Sequence, residues 1–95
     1  MKLRDLHNQA KEVSALSLFK GEMGTATAIQ LKENGLLKEH ITKTPALLLC
    51  ITGHVIYEDE TAKRIELHAG DYVNIVPNVK HWLVAPALAQ LVLLK

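Results

Sequence analysis

The sequence predicts an all-β domain, a sandwich or small barrel. Runs rich in β-branched and alternating apolar residues recur along the chain, and Gly, Pro, Asn and Asp clusters punctuate them at short intervals. Little of the chain reads as helix. Only Met1 to about Lys11 is polar enough to form a short helix or a loose arm.

Taken in order, Val13 to Phe19 has the apolar character of a first strand, and Gly21 and Gly24 mark the turn after it. Thr25 to Leu31 alternates as a strand, Glu33-Asn34-Gly35 is a turn, and Leu36 to His40 begins another strand. Ala46 to Thr52 is nearly continuous apolar, which predicts cover on both faces. His54 to Tyr57 and Lys63 to Leu67 form a hairpin around the acidic turn Glu58-Asp59-Glu60. Gly70-Asp71 is a turn dipeptide, because Gly tolerates positive φ and Asp bonds to nearby backbone. Tyr72 to Val76 alternates as a half-buried strand until Pro77-Asn78 stops it, since proline has no N–H for a ladder. His81 to Val84 and Ala89 to Leu94 complete the strands, and His81 stands at a strand start beside a turn.

Composition bounds the function classes. Ninety-five residues make one domain, long enough to bury roughly 60–65% of its unfolded surface without disulfides. A single cysteine permits no internal disulfide, which points to a reducing, cytoplasmic setting. The N-terminus lacks the apolar core of a signal peptide, and the run Leu83 to Leu94 is too short, and too interrupted by Pro86 and Gln90, for a membrane helix. A net charge of +1 with no basic cluster and few aromatics argues against nucleic acid as a partner.

The stretch Gly70, Asp71, Pro77, His81 resembles the second motif of the cupin superfamily, a Gly-Asp turn leading through a strand to a proline and then to a metal-binding histidine. Of the first cupin motif, His40 and Gly53 are present at about the right separation, whereas Thr42 stands where the second histidine belongs and Ala46 roughly where the glutamate belongs. The resemblance covers about Thr25 to the C-terminus. It implies a small cupin-type β-barrel (a double-stranded β-helix or jelly roll) over residues 25–95, with residues 1–24 as a short polar arm and first strand.

The family register would turn Ala46, Leu48, Cys50 and Thr52 inward by period two. It would set His40, Thr42, His81 and Leu83 around the same cavity, with Val73 and Ile75 further down. Two imidazoles in a mostly apolar pocket fit a small-molecule site. They could also begin a metal site, but His40 and His81 are only two ligands. Zinc, iron, manganese, nickel or copper would need Thr42, Cys50, water or a substrate oxygen to complete the shell. Cys50 also reads simply as a small buried hydrophobe. Three functions stay open: a small-molecule binding domain, a metal-dependent oxygenase or isomerase, and a structural or regulatory dimer without ligand.

His54 should point away from the cavity, and His68 and His7 have no partner motif. Trp82 should face opposite to His81, toward an interface or the N-terminal arm. Ser14 and Ser17 lie outside the matched motifs, and no nucleophile–base pair is visible. Two strands apolar on both faces leave more surface than one small barrel covers, which predicts a two-fold homodimer.

Overall fold

A computed structural model describes residues 1–95. After a 3₁₀ turn at Leu3–Leu6 come seven strands: β1 Val13–Lys20, β2 Thr25–Leu31, β3 Leu36–His40, β4 Ala46–Asp59, β5 Arg64–Leu67, β6 Tyr72–Ile75 and β7 His81–Leu94. Every pairing is antiparallel, and the main path runs β1-β2-β7-β4-β5, with β3 on β7 and β6 on β4. No helix is long and apolar enough to cross a membrane.

The sequence divides 46–57 and 81–94 into two strands each, yet β4 and β7 run through both breaks. Gly53 takes φ +90° and lies within a bulged stretch of β4, so the chain bends without losing its partner. Pro86 falls where the β4–β7 register skips between His54↔Ala87 and Ile56↔Val84, a place that asks for no ladder hydrogen bond from it. Each long strand therefore serves two half-sheets. One end of β7 pairs with β3 and the other with β2; one end of β4 pairs with β5 and the other with β6.

Inward residues of both halves meet in a single core. Ile29, Leu48, Val73 and Leu91 from one half join Val55, Tyr57, Leu67 and Leu83 from the other. Turns are fastened to this core by backbone bonds. Gly70 N–H donates to the Cys50 carbonyl and Cys50 N–H to the Asp71 carbonyl, at 2.8 and 2.9 Å. The Gly-Asp turn thus clamps the middle of β4.

The outward face of the β1-β2-β7-β4-β6 half is apolar. Register aligns Leu16, Ala28, Val92, Leu49 and Tyr72 in one row across five strands, with Phe19, Ala26, Leu94 and Leu47 in the next. Phe19 is 64% and Tyr72 58% exposed, too much for residues of this type unless something covers them. A third row, Ser14, Gln30 and Gln90, is polar and buried, because the N-terminal arm lies over it. Trp82 instead pairs with Glu58, in the half-sheet away from the arm's hydrogen bonds to Ser14 and Gln30.

The arm is held by polar contacts. His7 Nδ1 is 2.8 Å from Ser14 Oγ, while buried His7 Nε2 has no partner. Burial lowers the His7 pKa below its ordinary 6.5. The undocked arm then binds more protons than the docked one, so docking strengthens as pH rises through the window from the lowered value up to about 6.5, and weakens as pH falls through it. Amide hydrogen exchange at His7 and Lys11, whose N–H groups bond within the arm, should accelerate on acidification from about pH 7 to about pH 5, beyond the correction for intrinsic exchange.

Candidate ligand site

The site is built where β3 meets the start of β7. Pro77-Asn78 ends the preceding segment, with Asn78 at φ 64°, and Asn78 N–H donates to the Thr42 carbonyl at 2.8 Å. This tie draws the two turns together and brings His81 opposite His40, the last residue of β3. A register irregularity between Leu37 and His40 lets the His40 ring reach its partner.

The two rings touch edge to face, with centroids 4.2 Å apart and planes inclined by 61°. Their Nε2 atoms are 3.1 Å apart. His40 Nδ1 lies 3.1 Å from the Lys38 carbonyl and His81 Nδ1 3.3 Å from that of Val79. Carbonyl oxygens only accept, so each Nδ1 carries a hydrogen. Two neutral imidazoles have two N–H groups in total, both used by these carbonyls, and the Nε2 lone pairs would then face each other. One further proton between the Nε2 atoms satisfies all three contacts. Burial is the main force lowering the His81 pKa, with His40 contributing in the same direction. Burial thus disfavours charge on the His81 ring, which is 2% exposed, whereas the His40 ring is exposed. With one proton added between the Nε2 atoms, the pair presents one positive charge beside the groove.

Behind the pair lies a cavity of about 20 Å³ walled by His40, His81, Ile29, Leu37, Leu48, Ile75, Leu83 and Leu93, room for about one water. Outside it opens a groove of about 730 Å³. His40, Ile29, Leu37 and Leu93 line both spaces, so His40 stands at the inner end of the groove. The groove adds Val13, Ala15, Thr27 and Leu36, with Lys38, Lys95 and Glu12 as its charged groups. On the far side of His81 the Tyr57 ring stacks at 5.7 Å and 22°, and its hydroxyl donates to Asp59 Oδ2 at 3.5 Å. Asp59 in turn accepts from the Thr61 hydroxyl, which most strongly holds its carboxyl below the usual range.

Of the residues singled out in the sequence, His40, His81, Leu48, Leu83 and Ile75 share the cavity wall, whereas Val73 does not line it. Ala46, Thr42 and Cys50 are buried but do not line it. Cys50 turns its thiol toward the carbonyls of Thr52 and Gly53 in the β4 bend, at 3.5 and 3.9 Å. Burial first, then Asp71, pushes that thiol up, the opposite of what a thiolate ligand requires. Thr42 Oγ1 has no hydrogen-bond partner. No three His, Cys, Asp or Glu side chains converge anywhere in the chain in a way that could hold a metal ion. Two imidazoles with aliphatic walls do not fit a firmly held zinc, iron, manganese, nickel or copper ion, which calls for three or four protein donors.

Sequence reasoning missed three arrangements. His54 and His68 stack at 4.2 Å, and His54 Nε2 lies 3.0 Å from Glu66. The Val55↔Leu67 register sets 54 against 68, so exact hairpin pairing would have revealed this. Parallel rings cannot both aim a nitrogen in-plane at one ion, so this pair is no chelate. Tyr57 and its stacking on His81 left no signal beyond inward alternation. The His7–Ser14 contact supplies a base beside a hydroxyl, contrary to the sequence reading, but both residues are buried.

No protein-family model matches the sequence, and no curated protein matches it. Solved structures do. A cupin-2 domain containing protein from Shewanella frigidimarina superposes with TM-score 0.81 at 15% identity, covering 100% of this chain and 92% of that one. A cupin superfamily protein from Desulfitobacterium hafniense gives 0.79 at 12% identity over 87% and 75% of the two chains. KdgF from a Halomonas species gives 0.79 at 15% identity over 95% and 87%. At such identities the likeness shows the fold.

Proposed function

We propose that this small cupin-type domain binds an amphipathic small molecule with an acidic head, the head at His40–His81 and the apolar body in the groove. The observation that carries this reading is the 3.1 Å Nε2–Nε2 approach at the inner end of an apolar groove. The pair needs one positive charge to satisfy its contacts, and a carboxylate beside His40 would balance it. Lys38 and Lys95 outnumber Glu12 in the same groove and favour an anion further. Few convergent polar groups in an apolar recess is the usual make-up of a small-molecule site.

Thermal unfolding with octanoate and with octanol tests this. Only a ligand preferring the native state raises the melting temperature. Octanoate should raise it in the parent and not in His40→Ala, and octanol should do so less. Equal shifts in parent and variant would remove the histidines from the reading.

The domain acts as a two-fold dimer through the outward rows of Leu16, Phe19, Leu94 and Tyr72. Their half-exposed side chains together offer on the order of 400 Å² of apolar surface, a patch size that marks interaction sites. A second copy presents the same self-complementary rows. Phe19→Glu combined with Tyr72→Glu should convert a dimer into a folded monomer in sedimentation. A parent that already sediments as a monomer at micromolar concentration contradicts the dimer.

A further inference from the structure

A second pocket lies on the opposite side of the sheet from the histidine pair. It has a volume of about 470 Å³ and sits between the N-terminal arm and the bend of β4. The arm contributes Lys2 and Arg4; the bend contributes Thr52 and Gly53; β7 contributes Leu88 and Gln90. Neither cation has an ion-pair partner in the chain.

Gln90 is the informative residue. It is 6% exposed, and its Nε2 donates to Gln30 Oε1 at 2.7 Å, toward β2. Gln90 lines the pocket together with Thr52, its partner on the β4 side, so the other half of its side-chain amide is buried beside that space. That oxygen has no hydrogen-bond partner. Buried acceptors are rarely left so, because the missing bond is costly. Gln9 links this amide to the arm: its Nε2 donates to the Arg4 carbonyl at 3.0 Å and is in contact with Gln30 Oε1 at 3.5 Å. The relay Arg4–Gln9–Gln30–Gln90 therefore ties the arm's backbone at Arg4 to the amide with the orphan oxygen, and Lys2 and Arg4 line the same pocket.

We propose that this pocket binds a small hydroxylated organic anion, whose O–H donates to Gln90 Oε1 and whose negative charge lies between Lys2 and Arg4. Closure of Gln90 onto such a ligand would also clamp the arm. The site shares no lining residue with the histidine groove, so it stands or falls independently of the function proposed above.

Three probes separate the two halves of the recognition: glycerate has both charge and hydroxyl donors, propionate has the charge alone, and glycerol the donors alone. Titrations of the full chain, followed by proton–nitrogen correlation spectra, should show saturable glycerate shifts at the Thr52 and Gly53 amides and the Gln90 side-chain amide. Propionate and glycerol should bind about tenfold more weakly or worse. Lys2→Ala with Arg4→Ala, both exposed positions, should weaken glycerate about tenfold while leaving the fold intact. Gln90→Met should abolish the preference for glycerate over propionate. Three probes of equal affinity, an unaffected double variant, or no saturable change at these residues would overturn the proposal and leave the orphan oxygen to a water.

Discussion

Gly53→Ala is expected to destabilise the domain by about 3 kcal/mol or more, a shift readable as a large drop in the denaturation midpoint. A Cβ built on Gly53 meets the Leu88 carbonyl oxygen inside contact distance and lies 2.7 Å from Ala89 Cα, both backbone groups of β7 that cannot swing aside. The positive φ adds conformational strain. Gly70 supplies the control. It has the same φ of +90°, yet a Cβ there meets nothing within 4 Å. Gly70→Ala should therefore cost only the left-handed penalty, about 1–2 kcal/mol. Equal losses at the two positions would mean that the close approach of β4 and β7 does not set the bend.

Replacing either histidine should damage the groove in distinguishable ways. His40 is exposed but is the partner of buried His81 Nε2, so His40→Ala should cost about 1 kcal/mol of stability. It removes the charge-assisted contact to an acidic head, worth about 1.5–3 kcal/mol, so octanoate affinity should fall roughly ten- to a hundredfold. His81 is 2% exposed and stacked on Tyr57. His81→Ala should lose binding and also about 2–3 kcal/mol of stability, because it enlarges a cavity already about 20 Å³ in volume. Calorimetric binding beside chemical denaturation of each variant checks both parts. A His40→Ala protein that binds octanoate as the parent does contradicts the role given to the pair.

Most strands and most of the inward set were legible because period-two alternation and turn residues are local signals; Thr52, expected inward, is instead exposed and lines the pocket beneath the arm, because the β4 bulge interrupts the alternation there. Val73 and Ile75 alternate inward with Leu48 across β6 and β4, as read. The proximity of His40 and His81 was legible only through the resemblance carried by Gly70, Asp71, Pro77 and His81. Their 41-residue separation leaves no local trace. The continuity of β4 through Gly53 was not legible, since a glycine that ends a strand and one that bends it look alike until the opposing backbone is known. The direction of the Cys50 thiol was equally hidden: alternation places it on the inner face, but the bend carries it to the Thr52 carbonyl instead of the histidines. The arm's hold on Ser14 and Gln30 depends on polar side chains meeting across the sheet, which neither hydropathy nor spacing encodes.

The central claim, that His40 and His81 share one proton and receive an acidic head, is tested most directly by the histidine side-chain proton–nitrogen spectrum near neutral pH, with and without octanoate. The account predicts a hydrogen on Nδ1 of both rings, one proton shared between the Nε2 atoms once octanoate is bound, and saturable octanoate shifts at both Nε2 atoms. A hydrogen on His81 Nε2 in the free protein, or Nε2 signals that octanoate leaves unmoved, would contradict it.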